Sequence, residues 1–204
     1  MSGGRRVVFI ACALAIATLG GWWAARLIVP PPRAVALLHG TMLVPPRRLG
    51  SIDLVDQRGR QFTNQQLLGR WSVVYFGFTH CPVVCPTTMA VLKDFARRVA
   101  GLPASARPQV ILITVDPERD SPQELGRYVE SFDPAFLGLT GKGGALDAVA
   151  AEFSVAHGPA GPDGSMDHST AIYLVDPQGA LAAVFTSPHD AAALAEDYSR
   201  LAAG

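Results

Sequence analysis

SVVYFGFTHCPVVCP, residues 72–86, is the stretch from which the fold can be read. Ser72 to Phe78 is apolar after its first residue and rich in valine and aromatic side chains, the composition of a buried strand. Pro86 to Ala100 then reads as a helix: proline suits a first turn, and Met89, Leu92, Phe95 or Ala96, and Val99 recur on one face. Cys81 and Cys85 fall in the loop between, with three residues separating them. A redox dithiol is expected as C-x-x-C and a zinc ribbon needs two such pairs, so the spacing fits neither template.

Outward from this unit, Val110 to Val115 (VILITV) is a second buried strand, rich in β-branched residues. Ser121-Pro122 opens a helix to about Ser131, and Ala145 to Phe153 gives another. Thr170 to Val175 and Ala180 to Thr186 are strands joined by the Asp176-Pro177-Gln178-Gly179 turn, and Pro188 to Ala202 is a closing helix. On the N-terminal side, IDLVD (52–56) and QFT (61–63) flank a Gln57-Arg58-Gly59 turn as a short hairpin. Thr63 or Asn64 caps a short helix over Gln65 to Leu68. Two apolar strands flanking a helix imply a parallel β-α-β unit, to which the later hairpin adds antiparallel strands. The predicted fold class is therefore α/β and thioredoxin-like: a central mixed sheet flanked by helices, with an N-terminal β-hairpin and an insertion before the last hairpin.

The chain has 204 residues, 49% of them hydrophobic, enough for one domain with a real core plus some extra. Lys+Arg and Asp+Glu balance at 17 each, which leaves no basic surplus for nucleic acid. With only three cysteines it is not a disulfide scaffold. Val7 to Ala25 runs without a charge, preceded by Arg5 and Arg6 and closed by Trp22, Trp23 and Arg26. Nineteen helical residues would span close to the ~30 Å hydrocarbon core. The expectation is one N-terminal transmembrane helix; a cleaved signal peptide is the rival reading, but its A-x-A pattern at Ala13–Ala15 lies in mid-stretch. Arg5 and Arg6 stay cytoplasmic by the positive-inside rule, so residues 1–28 are read as a cytoplasmic N-terminus and single-pass anchor in the inner (cytoplasmic) membrane, with the rest facing the periplasm. Residues 29–49, with Pro30 to Pro32, Pro45 and Pro46, are read as an extended tether, and 50–204 as the folded domain. Cys12, inside the anchor, reads as an apolar filler.

The loop carrying Cys81 and Cys85 lies at the carboxyl end of a strand, the edge where open α/β sheets bind ligands. Cys85, read as lying just before a helix N-terminus, is expected to favour its thiolate. One helix-like turn would put both sulfurs on one face, with Cα atoms about 6 Å apart, compatible either with a disulfide or with clasping a soft ion. A third donor is then needed. His39 and His189 read as solvated and His157 as a surface residue; His80 adjoins Cys81, but neighbouring side chains on a turn commonly diverge. His168 immediately precedes the penultimate strand, and in a thioredoxin-like sheet the loop leading into that strand lies against the cysteine loop. Thioredoxins place a cis-proline there; this chain has Ser169 and Thr170.

FGFTHCPVVCP (76–86), TVDPERD (114–120) and DHS (167–169), in that order, resemble the Sco/SenC family of membrane-anchored copper chaperones over about Gly50 to Ala203. The resemblance implies a thioredoxin fold that binds one copper ion through two cysteines and a distant histidine. Carried over, the metal ligands are Cys81, Cys85 and His168, and Cys81 and Cys85 are also the redox-active dithiol. It further implies delivery of copper to the CuA site of cytochrome c oxidase subunit II, or reduction of that site's cysteines, with a copper donor and a thiol reductant as further partners. Asp116, in the DPERD segment, should lie at the same sheet edge, with either a role behind the ligands or toward a partner, or simply that of a loop cap. Asp120 reads as a helix N-terminal group before Ser121-Pro122. The alternative is an exported thiol–disulfide oxidoreductase without a copper-carrier role, whose usual C-x-x-C and cis-proline are missing. A peroxidase would want a hydroxyl where Pro82 stands, and a merely structural disulfide leaves His168 unexplained.

Overall fold

A computed structural model of the chain describes Thr18, residues 36–155, Gly158 and residues 169–202. All of the expected anchor but Thr18, residues 29–35 of the tether, His157 and His168 lie outside the described residues. Among the described residues no helix is long and apolar enough to cross a membrane.

The unit beginning at Ala36 is built on a β-α-β core. Strand β4 (Ser72–Gly77) leads into helix α1 (Val84–Arg98) and returns through β5 (Gln109–Thr114). The two strands pair in parallel from Ser72↔Gln109 to Gly77↔Thr114. Both run inside the sheet with apolar side chains on both faces, which is why they read as continuous hydrophobic runs. The hairpin β7 (Ile172–Val175) and β8 (Ala180–Phe185) lies on the other side of β4, with β7 antiparallel to it. The hairpin β2 (Asp53–Asp56) and β3 (Gln61–Thr63) closes the far edge, and Thr63 caps the 3₁₀ turn Asn64–Leu67. These are the elements expected of the thioredoxin-like core.

Successive side chains of β4 alternate between faces. Phe76 packs edge-on against Phe153 at 5.2 Å between ring centroids, on the side of α3 (Gly143–Glu152). Tyr75 and Gly77 face the opposite way, toward α1. There α1 packs on α2 (Pro122–Phe132) and α4 (Ala191–Ala202), with Phe95 5.5 Å from Tyr198. Met89, Leu92 and Phe95 form the buried stripe expected of α1.

Four features differ from the sequence reading. Thr41–Arg48, placed in the tether, is a strand, β1, that pairs with β8 at the sheet edge. The register shifts between Met42 and Arg47, so Pro45 and Pro46 sit where the ladder is interrupted and no amide is required of them. Leu137–Thr140 is a further strand, β6, between β5 and β2, completing the order β1-β8-β7-β4-β5-β6-β2-β3 among the described residues. Its Gly138 lets α2 approach, since a Cβ there would lie 3.0 Å from Leu125 Cβ. The last helix starts at Ala191 rather than Pro188 because Asp190 accepts the Ala193 amide and caps it. Helix α1 starts at Val84, two residues before Pro86, which places Cys85 within its first turn.

Candidate functional site

Parallel β4 and β5 end at the same sheet edge, and β7, antiparallel to β4, begins there, with Ile172 opposite Tyr75. Three segments therefore meet: Thr79–Cys85 after β4, Val115–Asp120 after β5, and Ser169–Thr170 leading into β7.

Both cysteines are free thiols, and their surroundings differ. Cys85 is completely buried, while Cys81 is half-buried beside the exposed Val83 and Val84. The Cys85 amide, in the first turn of the helix, donates to Cys81 Sγ at 3.3 Å. The Tyr75 hydroxyl donates to Cys85 Sγ at 3.6 Å. Gly77 makes room for that sulfur: a Cβ at this position would lie 3.0 Å from Cys85 Sγ and 2.9 Å from the Tyr75 ring. Burial pushes the Cys85 thiol up to about 12, although hydrogen bonds from the Phe78 backbone and the Tyr75 hydroxyl pull the other way. The expectation of a helix-stabilised Cys85 thiolate is thereby corrected: inside the first turn the side chain is withdrawn from water, and desolvation outweighs the helix N-terminus. Burial also raises the Tyr75 hydroxyl above its ordinary range, so it is a donor and not a base.

Asp120 is the residue that sequence reasoning missed. It caps no helix; Ser121 does, accepting the Glu124 amide. Instead its carboxylate, with no exposed surface, accepts the Thr79 amide at 3.1 Å, the Thr79 hydroxyl at 2.6 Å and the Thr114 hydroxyl at 2.6 Å. It thus ties the cysteine loop to the end of β5. Arg119 adds a second brace, its guanidinium 5.8 Å from the centroid of the Phe78 ring. Asp116 is at this edge as expected, buried, with its carboxylate accepting from Arg119 and its amide donating to Thr114 Oγ1.

His80 is exposed, with Nδ1 2.9 Å from Thr79 Oγ1. His39 is half-exposed near Glu196 at 3.8 Å. His189 is not simply solvated: its Nε2 lies 2.7 Å from the Thr170 carbonyl oxygen and so donates to it, steadying the segment that leads into β7. Ser169 also holds that segment, its hydroxyl accepting the Ala171 amide. Among the described residues no three His, Cys, Asp or Glu side chains converge as a metal cage. Two thiols at one strand end, Cys81 in the loop and accessible and Cys85 in the first turn of α1, supply a soft donor pair that fits Cu(I) better than a hard cation.

The family model for SCO1/SenC matches residues 44–203 of this chain. The chain is 40% identical over 152 residues to the mitochondrial SCO2 homolog of Bos taurus, covering 72% of this chain and 55% of that protein. It spans about half the length of the curated mitochondrial SCO2 relatives it matches. Among solved structures, copper-bound ScoI of Arabidopsis thaliana superposes with a TM-score of 0.71 at 29% identity, covering 76% of this chain and 99% of that one. Copper-bound ScoI of Bradyrhizobium japonicum gives 0.66 at 33% identity, covering 75% and 98%. The chain belongs to the SCO1/SenC family.

Proposed function

We propose that this protein is a membrane-anchored copper carrier that holds one copper ion between Cys81, Cys85 and His168. It delivers the ion to the CuA site of cytochrome c oxidase subunit II, or reduces that site's cysteines, on the periplasmic side. The observation that carries the reading is the antiparallel register of β7 on β4: it brings Ser169, the neighbour of His168 in sequence, to the strand end that bears the cysteines. Copper bound in the ScoI relatives supports the choice of ion. Two thiolates and one imidazole satisfy three-coordinate Cu(I) and leave one side open for exchange with a target. Both thiols must lose their protons to bind, so loading releases protons and the affinity falls as pH drops.

The asymmetry of the cysteines favours a second reading, thiol–disulfide exchange. Cys81 is the accessible sulfur and receives the Cys85 amide, so its thiolate would attack the target disulfide. The mixed disulfide then breaks as Cys85 bonds to Cys81; the target leaves with two thiols, the carrier is oxidised by two electrons, and a thiol reductant resets it. Oxidation abolishes soft-metal affinity, so the two activities alternate and do not coincide.

The test is Cu(I) titration of the reduced full chain, with His168→Ala and Cys85→Ser. One copper per chain and a loss of at least about a hundredfold in either variant is the expected outcome. A His168→Ala variant that binds as tightly as the parent removes the three-ligand site.

A further inference from the structure

Tyr128 carries a polar group that the fold leaves idle. Its hydroxyl is shut off from solvent and has no hydrogen-bond partner, the only buried side-chain polar atom among the described residues of which this holds. Buried polar groups are almost always paired, and an unpaired one costs stability that phenylalanine in its place would not. The ring sits on α2, 5.3 Å between centroids from Phe132, and lines a shallow pocket with Thr79 and His80, the two loop residues before Cys81. Burial raises the hydroxyl above its ordinary range, and so does the charge that Cys85, Cys81 and Asp120 would set beside it. The hydroxyl is therefore a donor, within electrostatic reach of both sulfurs.

A loaded site makes demands that the unloaded one does not. Two thiolates, a neutral imidazole and Cu(I) together carry net negative charge, at a sheet edge that already holds Asp120 with no exposed surface. Thiols are weak acceptors, whereas charged sulfurs take strong hydrogen bonds and are costly to bury without them. The Cys85 amide already meets Cys81, and the Tyr75 hydroxyl already meets Cys85. We infer that Tyr128 is a positioning residue of the cysteine site, its hydroxyl a donor left free in the unloaded protein and engaged by the sulfurs once they hold copper. The inference rests on the copper-carrier reading above and adds the group that strengthens the hold on the ion. Tyr128 keeps its proton throughout and no electron moves. The idle donor weakens the empty protein, and the same donor tightens the loaded one.

The two effects have opposite signs, and that is what the test reads. Cu(I) affinity of the reduced full-length chain in detergent is measured by competition with bicinchoninate, and stability of the same unloaded protein by its urea midpoint. Tyr128→Phe should weaken Cu(I) binding about tenfold while the midpoint stays at or above that of the parent. Phe132→Leu loosens the packing around the same ring and spares the hydroxyl, so it should lower the midpoint and leave affinity within about twofold. Parental affinity in Tyr128→Phe overturns the inference. A lowered midpoint in that variant overturns it too, because the hydroxyl would then have a structural partner in the empty protein. Equal affinity losses in Tyr128→Phe and Phe132→Leu would trace the effect to packing and overturn it likewise. If the parent itself binds no Cu(I), the carrier reading fails and the inference falls with it, whereas the other outcomes leave that reading standing.

Discussion

Two aspartates with no exposed surface, Asp120 and Asp197, each hold a stretch of backbone, and they do it differently. Asp197, on α4, accepts three consecutive amides, Leu38, His39 and Gly40, at 2.7, 2.8 and 2.9 Å, just before β1. Asp120 accepts one amide and two hydroxyls, and through Thr79 it reaches an exposed imidazole. Amides are fixed by the chain, so the Asp197 arrangement is a fastening with one geometry. Hydroxyls rotate, so the Asp120 arrangement is a joint whose proton positions can follow a change at the cysteines. The same buried carboxylate serves architecture in one place and positions the site in the other.

Alanine at either position should cost about 3 kcal/mol of stability, because each leaves several buried donors without an acceptor. Urea unfolding measures this. The comparison breaks on a second readout: Asp120→Ala should also weaken Cu(I) binding about tenfold or more, and Asp197→Ala should leave it within about twofold. Equal copper loss in both variants would mean that Asp120 acts through general stability alone. Gly77→Ala should cost about 2 kcal/mol and disturb thiol chemistry, since its methyl would crowd Cys85 Sγ at 3.0 Å.

Linkage separates the two regions further. Cys85 has an ordinary value of 9.0 and is pushed up to about 12 in the fold. Below pH 9 it is protonated whether the chain is folded or not, and its contribution is intact. Between about 9 and 12 only the unfolded chain ionises, so stability should fall by about 1.4 kcal/mol per pH unit. Unfolding curves of the reduced protein and of Cys85→Ala, compared between pH 8.5 and 10.5, isolate that slope; parallel curves would show Cys85 to be hydrated. The smallest effect is expected from Tyr75→Phe, about 1 kcal/mol or less, since it removes one weak O–H···S bond. Because that bond favours the thiolate, its loss should slow alkylation of Cys85 by iodoacetamide and leave Cys81 unaffected.

The core of the fold was legible because β4, β5, β7, β8 and α1 carry strong apolar patterns. β6 was not, being four residues with Gly138 among them, chosen for the approach of Leu125 rather than for strand propensity. β1 was hidden by Pro45 and Pro46, which read as tether until the interrupted register explains them. At the site, the cysteine spacing and Asp116's place at the strand end could be read locally. Asp120 could not: next to Ser121-Pro122 its local signal is a helix cap, and its decisive partner, Thr79, is 41 residues away. His189 was obscure for the same reason, its partner Thr170 lying 19 residues earlier across a hairpin.

β1 has one more consequence. It is the long outer strand of the sheet, and the opposite edge, β3, has only three residues. A long bare edge invites another chain to continue the ladder. Two prolines and the shifted register deprive β1 of a regular row of donors, and Arg47 and Arg48 put charge at its end. The domain is thus given an edge that does not template amyloid-like stacking. Replacing Pro45 and Pro46 with valine would restore the missing amides and turn a blunt border into a seed.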